Sequence, residues 1–131
     1  MSVERFGSGG PWEDRYGYSR VVRAGYLVLT AGCTSTVDGV VTGVGDAYAQ
    51  ARTALEIALT ALRQAGAAVA DVVRTRIYVT DRANADAVGR AHGEIFGTVR
   101  PAATMIIVAG LLDPDMLVEF DVEAFAPDRA T

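Results

Sequence analysis

The sequence predicts an α+β protein in which two helices cover one face of a single β-sheet. Three observations lead to this prediction. The chain has 131 residues, and half of them are apolar, which is enough to bury one core. Its apolar periodicity changes in the order strand, strand, helix, strand, helix, strand, strand. We therefore expect one domain over residues 16–131, behind a flexible N-terminal arm over residues 1–15.

The arm is predicted because the first residues mix glycine, serine and proline without periodicity. Order is expected to begin near Tyr16, and two strands follow, in YSRVV and YLVLTAG. The turn between them falls at Gly25, where glycine allows a positive φ. A second tight turn is expected at Asp38-Gly39 in VDGVV.

Two helices are predicted in the middle of the chain. The first runs from Asp46 to about Ala65, and Gly66 suits the position just past its end. Its apolar stripe consists of Tyr48, Ala51, Leu55, Ala58, Leu59 and Leu62. The second helix follows Asp81 and stops near Gly97, with a stripe made of Val88, Ala91 and Ile95.

Three further strands are predicted, in VVRTRIYVT between the helices, in TMIIV after Pro101, and in MLVEFDVEAF. The last strands carry apolar residues at most positions rather than in strict alternation, which indicates that the second face of the sheet is also buried. No segment of the chain remains to cover that face. We therefore expect self-association through it.

Composition argues against several classes of protein. The net charge is −4, and the 12 basic residues, all arginines, are scattered, so we expect no nucleic-acid partner. No stretch approaches the roughly 20 apolar residues of a membrane span, and the polar N-terminus lacks a secretion signal, so we expect a cytoplasmic protein. One cysteine and one histidine fall short of a zinc site, and no phosphate loop is present, so neither a metal nor a cofactor is expected.

Glu119 is the strongest candidate for chemistry, because it is an acidic residue among apolar neighbours in a strand. The alternative is that Glu119, Asp121 and Glu123 form the solvent-exposed face of an alternating strand. Arg74 and Arg76 alternate within their strand in the same way. Either one could bind a carboxylate in a cavity, or both could be solvated.

Cys33 and His92 have plain structural interpretations. Cys33 follows the strand end TAG and could be a nucleophile, but without a nearby histidine a small buried apolar role is favoured. His92 lies within a predicted helix, where a surface or interface position is favoured over catalysis.

From Tyr18 to Ala126 the chain resembles the RidA (YjgF-like) family. The segments that carry the resemblance are GYSRVVRAGYLVLTAG, QARTALEIALTALRQAGAAVADVVRTRIYVTD, AHGEIFG, RPAATM and LVEFDVEA. The resemblance implies a chorismate-mutase-like fold and a homotrimer with three small-molecule clefts between subunits. It agrees with the uncovered sheet face inferred above.

The resemblance also implies a site. The glutamate of LVE, which orients or activates the attacking water, corresponds to Glu119, and a glycine that fixes the substrate through its backbone corresponds to Gly32. The backbone carbonyl position corresponds to Met105. The aromatic residue that closes the cleft corresponds to Tyr18, with Tyr16 the second choice.

One residue departs from the family's pattern. Family members that act as deaminases hydrolyse enamines and imines such as 2-aminoacrylate, and an arginine pairs with the substrate carboxylate; that position is Ala103 here. Losing such a contact costs on the order of 10²-fold in affinity. The resemblance leaves Asp121 open as an alternative to Glu119, and leaves open whether Arg76 or Arg74 supplies a substitute cation.

Two functions remain open. The first is a RidA-like enzyme in which Glu119 performs hydrolytic or acid-base chemistry on an imine or enamine other than 2-aminoacrylate. The second is a non-catalytic trimer that uses the same clefts to bind a small molecule or a partner protein. RNA cleavage, an activity sometimes attached to the family, is not expected because the chain is acidic.

Overall fold

The computed structural model describes residues 2–127, which form a mixed six-stranded sheet with helices on one face, and a separate two-stranded hairpin. The strands are β1 (Val3–Phe6), β2 (Val21–Ala24), β3 (Leu27–Thr30), β4 (Thr36–Val37), β5 (Val40–Val41), β6 (Val72–Val79), β7 (Ala102–Ile107) and β8 (Val118–Phe125). The helices are α1 (Pro11–Tyr16), α2 (Ala47–Gln64) and α3 (Ala85–Phe96). This architecture confirms the predicted α+β class.

The order of strands in the sheet is β1-β2-β3-β8-β6-β7. Neighbouring strands are antiparallel except β6 and β7, which are parallel and joined through α3. Strand β8 therefore lies at the centre, between β3 and β6. The small hairpin of β4 and β5 turns at Asp38-Gly39, where both residues have positive φ as predicted.

The core lies between the sheet and the helices. On β8 the side chains alternate strictly, and those facing the helices are Val118, Phe120, Val122 and Ala124, each at most 1% exposed. The opposite face of the sheet, which we call the open face, carries the acidic residues of β8. The expectation that the last strands are apolar on both faces is therefore wrong for β8, because the apolar residues before Val118 belong to the preceding loop.

Helix α2 begins and ends as predicted. The Asp46 side chain accepts a hydrogen bond from the Ala49 amide at the N-terminus, and Gly66 adopts positive φ just past the C-terminus. The buried Gln50 faces β8, and its amide group binds the Leu117 amide and the Asp115 carbonyl. It thereby fixes the loop that leads into β8.

The N-terminal segment differs from the flexible arm that was expected over residues 1–15. Strand β1 pairs with β2 along its length, and α1 follows it. Glu13 of α1 is only 6% exposed and ties this segment to the sheet. The segment gives little signal in the sequence because its order depends on pairing with β2 rather than on its own propensity.

No helix in residues 2–127 is both long enough and apolar enough to cross a membrane.

Gly93 offers a test of the helical face that points away from the sheet. It is exposed within α3, and a Cβ built there meets no atom within 4 Å. Because glycine is a poorer helix former than alanine, Gly93→Ala is expected to stabilise the protein by about 0.5–1 kcal/mol. Chemical denaturation measures this change, and a destabilised variant would show that the face is in tight contact.

Candidate functional site

The candidate site is centred on a close approach between Gly32 and Glu119. After β3 the chain continues alongside β8, where Cys33 and Phe120 exchange two backbone hydrogen bonds. This pairing places Gly32 beside the Glu119 side chain. A Cβ at Gly32 would lie 2.5 Å from Glu119 Oε2 and 2.7 Å from its Cδ, so only glycine leaves the Glu119 carboxyl group in this position.

Strand β8 carries three carboxylates on its open face. Within residues 2–127, Asp121 and Glu123 are paired with other side chains, whereas Glu119 forms no hydrogen bond or ion pair with one. Asp121 accepts from Arg76 Nε at 2.8 Å and from the Tyr78 hydroxyl at 2.9 Å. Glu123 accepts from Arg76 Nη2 at 2.9 Å. Of the two candidates that the sequence left open, Asp121 is engaged and Glu119 is available.

The surroundings of Glu119 favour its protonated form. Burial raises the pKa of Glu119, the neighbouring Asp121 charge raises it further, and the Arg20 charge acts in the opposite direction. The net result is a pKa above the ordinary value. A half-buried carboxyl group with a raised pKa takes up a proton more readily than an ordinary carboxyl group and can donate it again, which suits a general acid or base.

Two further side chains belong to this region: Arg20, whose charge acts on Glu119, and Tyr18, which Arg20 contacts. Arg20 Nη1 donates to the Gly32 carbonyl oxygen at 2.6 Å, and its guanidinium lies 5.6 Å from the centre of the Tyr18 ring. Tyr18 is 40% exposed, so its ring is accessible to solvent. Tyr16, the second choice from the sequence, instead stacks on Trp12.

Arg20 is the residue that sequence reasoning missed. It stands in the segment YSR, which carries the family resemblance, but no feature of that segment shows what the side chain contacts. Apart from Tyr18, which is two residues away, its partners lie seven to thirteen residues away, and Glu13 belongs to the segment expected to be flexible. The one signal for a functional role was the position of Arg20, at the start of a strand and within the segment YSR.

Cys33 and His92 have structural roles. Cys33 is 1% exposed, and burial raises the pKa of its thiol, so a thiolate nucleophile is disfavoured. His92 is half-buried on α3, and its Nε2 lies 2.8 Å from the hydroxyl of Thr75 on β6. Burial lowers the pKa of His92, which favours the neutral ring.

The structure does not bring Ala103, Met105 or Arg76 to Glu119 within one subunit. Ala103 and Met105 pair with the β6 residues that face the helices, whereas Glu119 lies on the open face. Two strand spacings, about 10 Å, also separate β7 from β8. Arg76 lies on the open face but is held by Asp121 and Glu123. Within one subunit the structure therefore brings together Gly32 and Glu119, with Tyr18 connected to Gly32 through Arg20.

The described chain offers no obvious metal site. Within residues 2–127, no three His, Cys, Asp or Glu side chains are grouped as metal ligands. Two surface cavities of about 370 and 380 Å³ are present, and Glu119 lines neither of them. Arg20 lines the first, between the N-terminal segment and α2, and the loop before β8 lines the second.

The fold is that of a small α+β protein of the RidA (YjgF-like) class. Comparison with known proteins agrees, since residues 13–126 match the family described as Endoribonuclease L-PSP. The chain belongs to this family, and the resemblance that the sequence suggested is confirmed.

Individual relatives support the assignment. The chain is similar to a crystal structure from Mycobacterium tuberculosis described as a member of the YjgF/YER057c/UK114 family, with 45% identity, a TM-score of 0.87 and coverage of 95% of this chain and 100% of that one. It is 40% identical to an uncharacterized protein of Streptomyces coelicolor, over 95% of this chain and 92% of that protein. It is also 40% identical to the 3-aminoacrylate deaminase RutC of Acinetobacter baylyi, over 58% of this chain and 60% of RutC.

Proposed function

We propose that this protein is a RidA-like enzyme that hydrolyses the C=N bond of a small imine or enamine, with Glu119 as the acid-base group. The observation that carries the proposal is the half-buried, unpaired carboxyl group held against Gly32. A carboxylate kept free of partners while its neighbours Asp121 and Glu123 are paired is available for proton transfer.

The chemistry requires one group that first takes up a proton and then returns it. Ionised Glu119 takes a proton from water as the oxygen attacks the carbon of the protonated imine, and a neutral carbinolamine forms; an enamine reacts as its imine tautomer. Protonated Glu119 then returns the proton to nitrogen, the C–N bond breaks, and the carbinolamine hydroxyl proton passes to the departing ammonia, which leaves a carbonyl product and ammonium. One water is consumed for each ammonia released, and the carboxyl group ends as it began.

A second copy of the chain would complete the cleft. Apolar side chains remain exposed on the open face, namely Leu27 at 39%, Leu29 at 36% and Phe125 at 56%. Such a patch is typical of an association surface. In the homotrimer that we propose, Ala103 and Met105 of a neighbouring subunit would supply the wall that a single subunit leaves far from Glu119.

The alternative is a non-catalytic trimer that binds a small molecule or a partner protein in the same clefts. Ala103 favours this alternative, because the position lacks the arginine that would hold a substrate carboxylate. We do not propose RNA cleavage for this chain. Its net charge is −4, and Arg76 on the open face is neutralised by two carboxylates, whereas phosphate binding needs unpaired cations.

A substrate panel tests the proposal. The protein would be incubated with 2-aminoacrylate generated enzymatically, with 3-aminoacrylate, which is the substrate named for RutC, and with bulkier imines. Ammonia and carbonyl product would be followed above the uncatalysed rate. Faster hydrolysis of a bulky imine supports the enzyme. No acceleration on any member, together with a ligand that stays bound through purification, supports the binding protein.

Ala103→Arg tests whether the rest of the cleft is intact. The variant is expected to gain 2-aminoacrylate deamination by on the order of 10²-fold, because a bidentate contact to the substrate carboxylate is restored. Light scattering would check that wild type and variant have the same trimeric mass. A folded trimeric variant that stays inactive on 2-aminoacrylate would contradict the expectation.

A further inference from the structure

We propose that Arg20 is the positioning residue of the Glu119 site, holding the Gly32 carbonyl and the Tyr18 ring in place. The sequence alone did not indicate this role for Arg20. The side chain is only 14% exposed, so contacts with other residues, rather than solvent, hold it in place.

The contacts of Arg20 use all three guanidinium nitrogens. Nη1 donates to the Gly32 carbonyl at 2.6 Å and approaches Cys33 Sγ at 3.6 Å. Nε faces Glu13 Oε2 at 3.4 Å, and Nη2 lies 3.5 Å from the Tyr18 hydroxyl. Because the guanidinium is planar and rigid, these contacts fix the relative positions of the segments that carry Tyr18 and Gly32.

The position of Gly32 in turn determines the space available to Glu119. The Glu119 carboxyl group lies so close to Gly32 that even one added methyl group would overlap it. A small displacement of the Gly32 segment therefore changes the position and the solvation of the carboxyl group. Arg20 does not form a hydrogen bond with Glu119, so it acts on the carboxyl group through Gly32 and through its charge.

Glu13 holds Arg20 from the other side. It accepts hydrogen bonds from the Ser8 amide at 2.9 Å and from the Ser8 hydroxyl. Burial alone would raise the pKa of Glu13, but the bonds from Ser8 and the Arg20 charge hold it below its ordinary value. An ionised Glu13 is thus built into the N-terminal segment, and it anchors Arg20 next to Gly32.

The test uses Arg20→Gln, Arg20→Lys and a matched control, Arg23→Gln. Arg23 is on β2, and it also donates to backbone carbonyls, those of Ala65 and Ala126. It contacts the C-terminal end of α2 and not the Glu119 site. A loss that is merely structural would appear in Arg23→Gln as well.

Two readouts are used, because only the kinetic one depends on the proposed function. The first is the titration of the Glu119 carboxyl by NMR, which needs no turnover. The charged and titratable groups that act on Glu119 are Asp121, Arg20, Tyr78 and Cys33. The second readout is kcat and KM on whichever imine the wild type hydrolyses.

Arg20→Gln is expected to raise the pKa of Glu119 further and to lower kcat by about 10²-fold with little change in KM, because the group is misplaced rather than removed. Arg20→Lys keeps the positive charge but not the several donors of the planar guanidinium. We therefore expect a Glu119 pKa closer to that of the wild type, and a kcat between those of the wild type and Arg20→Gln. Arg23→Gln should change neither readout.

Three results would overturn the inference: an unchanged Glu119 titration in Arg20→Gln, equal shifts in Arg23→Gln, or a wild-type kcat in Arg20→Lys. If Arg20→Gln does not fold, the comparison of Arg20→Lys with Arg23→Gln decides. If the wild type hydrolyses no imine, the proposed function fails. The Glu119 titration, compared between Arg20→Gln and Arg23→Gln, then decides the role of Arg20.

Discussion

Replacing Glu119 with glutamine is expected to lower kcat for C=N hydrolysis by about 10²–10⁴-fold, the usual contribution of a positioned acid or base. Glutamine keeps the size of the side chain beside Gly32 but can neither take nor return a proton. The measurement is the release of ammonia and carbonyl product from the imine that the wild type hydrolyses fastest.

Asp121→Asn is the matched control, since it changes the other candidate carboxylate two residues along β8. Asp121 is paired with Arg76 and Tyr78, so its loss should disturb the open face without removing the proton carrier. Equal losses of kcat in the two variants would contradict the assignment of Glu119. Native mass and denaturation curves, compared with those of the wild type, would show that both variants are folded.

The same Glu119→Gln variant should be more stable than wild type at neutral and higher pH. Burial and Asp121 raise the folded-state pKa of Glu119 above 4.5, its value in the unfolded chain. The folded protein then binds more protons than the unfolded one, so the contribution of Glu119 is present below pH 4.5 and is lost as pH rises through the folded pKa. Denaturation at several pH values should show the difference shrinking as pH falls.

Gly32→Ala is expected to lower kcat by about 10²-fold while changing the free energy of unfolding little. The new Cβ would overlap the end of the Glu119 side chain, 2.5 Å from Oε2, rather than any backbone atom. A flexible side chain can move aside at small cost to folding. The displaced carboxyl group would then no longer be aligned with the substrate.

Gly93→Ala is the control for Gly32→Ala, because it makes the same change where no atom lies within 4 Å. It should leave kcat unchanged. A Gly32→Ala protein with wild-type kcat would show that the close approach of Gly32 and Glu119 has no part in catalysis. A Gly32→Ala protein that is strongly destabilised would show that Glu119 cannot move aside.

Much of the fold could be predicted because its signals are local. Gly25 and Asp38-Gly39 have the positive φ that their turns require, and α2 starts after its capping residue Asp46. The alternation of β8 was misread because Met116 and Leu117, which precede the strand, extend its apolar run. Strand β1 was missed because a four-residue edge strand gains its order from its neighbour.

The candidate site could be predicted only in part. Glu119 and Gly32 stand in motifs that the family shares, and the structure places them in contact. Arg20 could not be assigned, because its contacts depend on where α1 and the segment after β3 meet in space. Ala103 and Met105 lie far from Glu119 within one subunit. A local sequence pattern does not indicate which residues a neighbouring subunit would contribute to the site.

The most direct test of the account compares two titrations of the wild-type protein. The pH profile of kcat/KM reports the pKa values of essential groups in the free enzyme, and NMR reports the titration of the Glu119 carboxyl. We predict that an inflection in kcat/KM coincides with the Glu119 titration, above the ordinary 4.5, and that Glu119→Gln abolishes it. An inflection elsewhere, or no enzyme-dependent hydrolysis of any imine, would contradict the account.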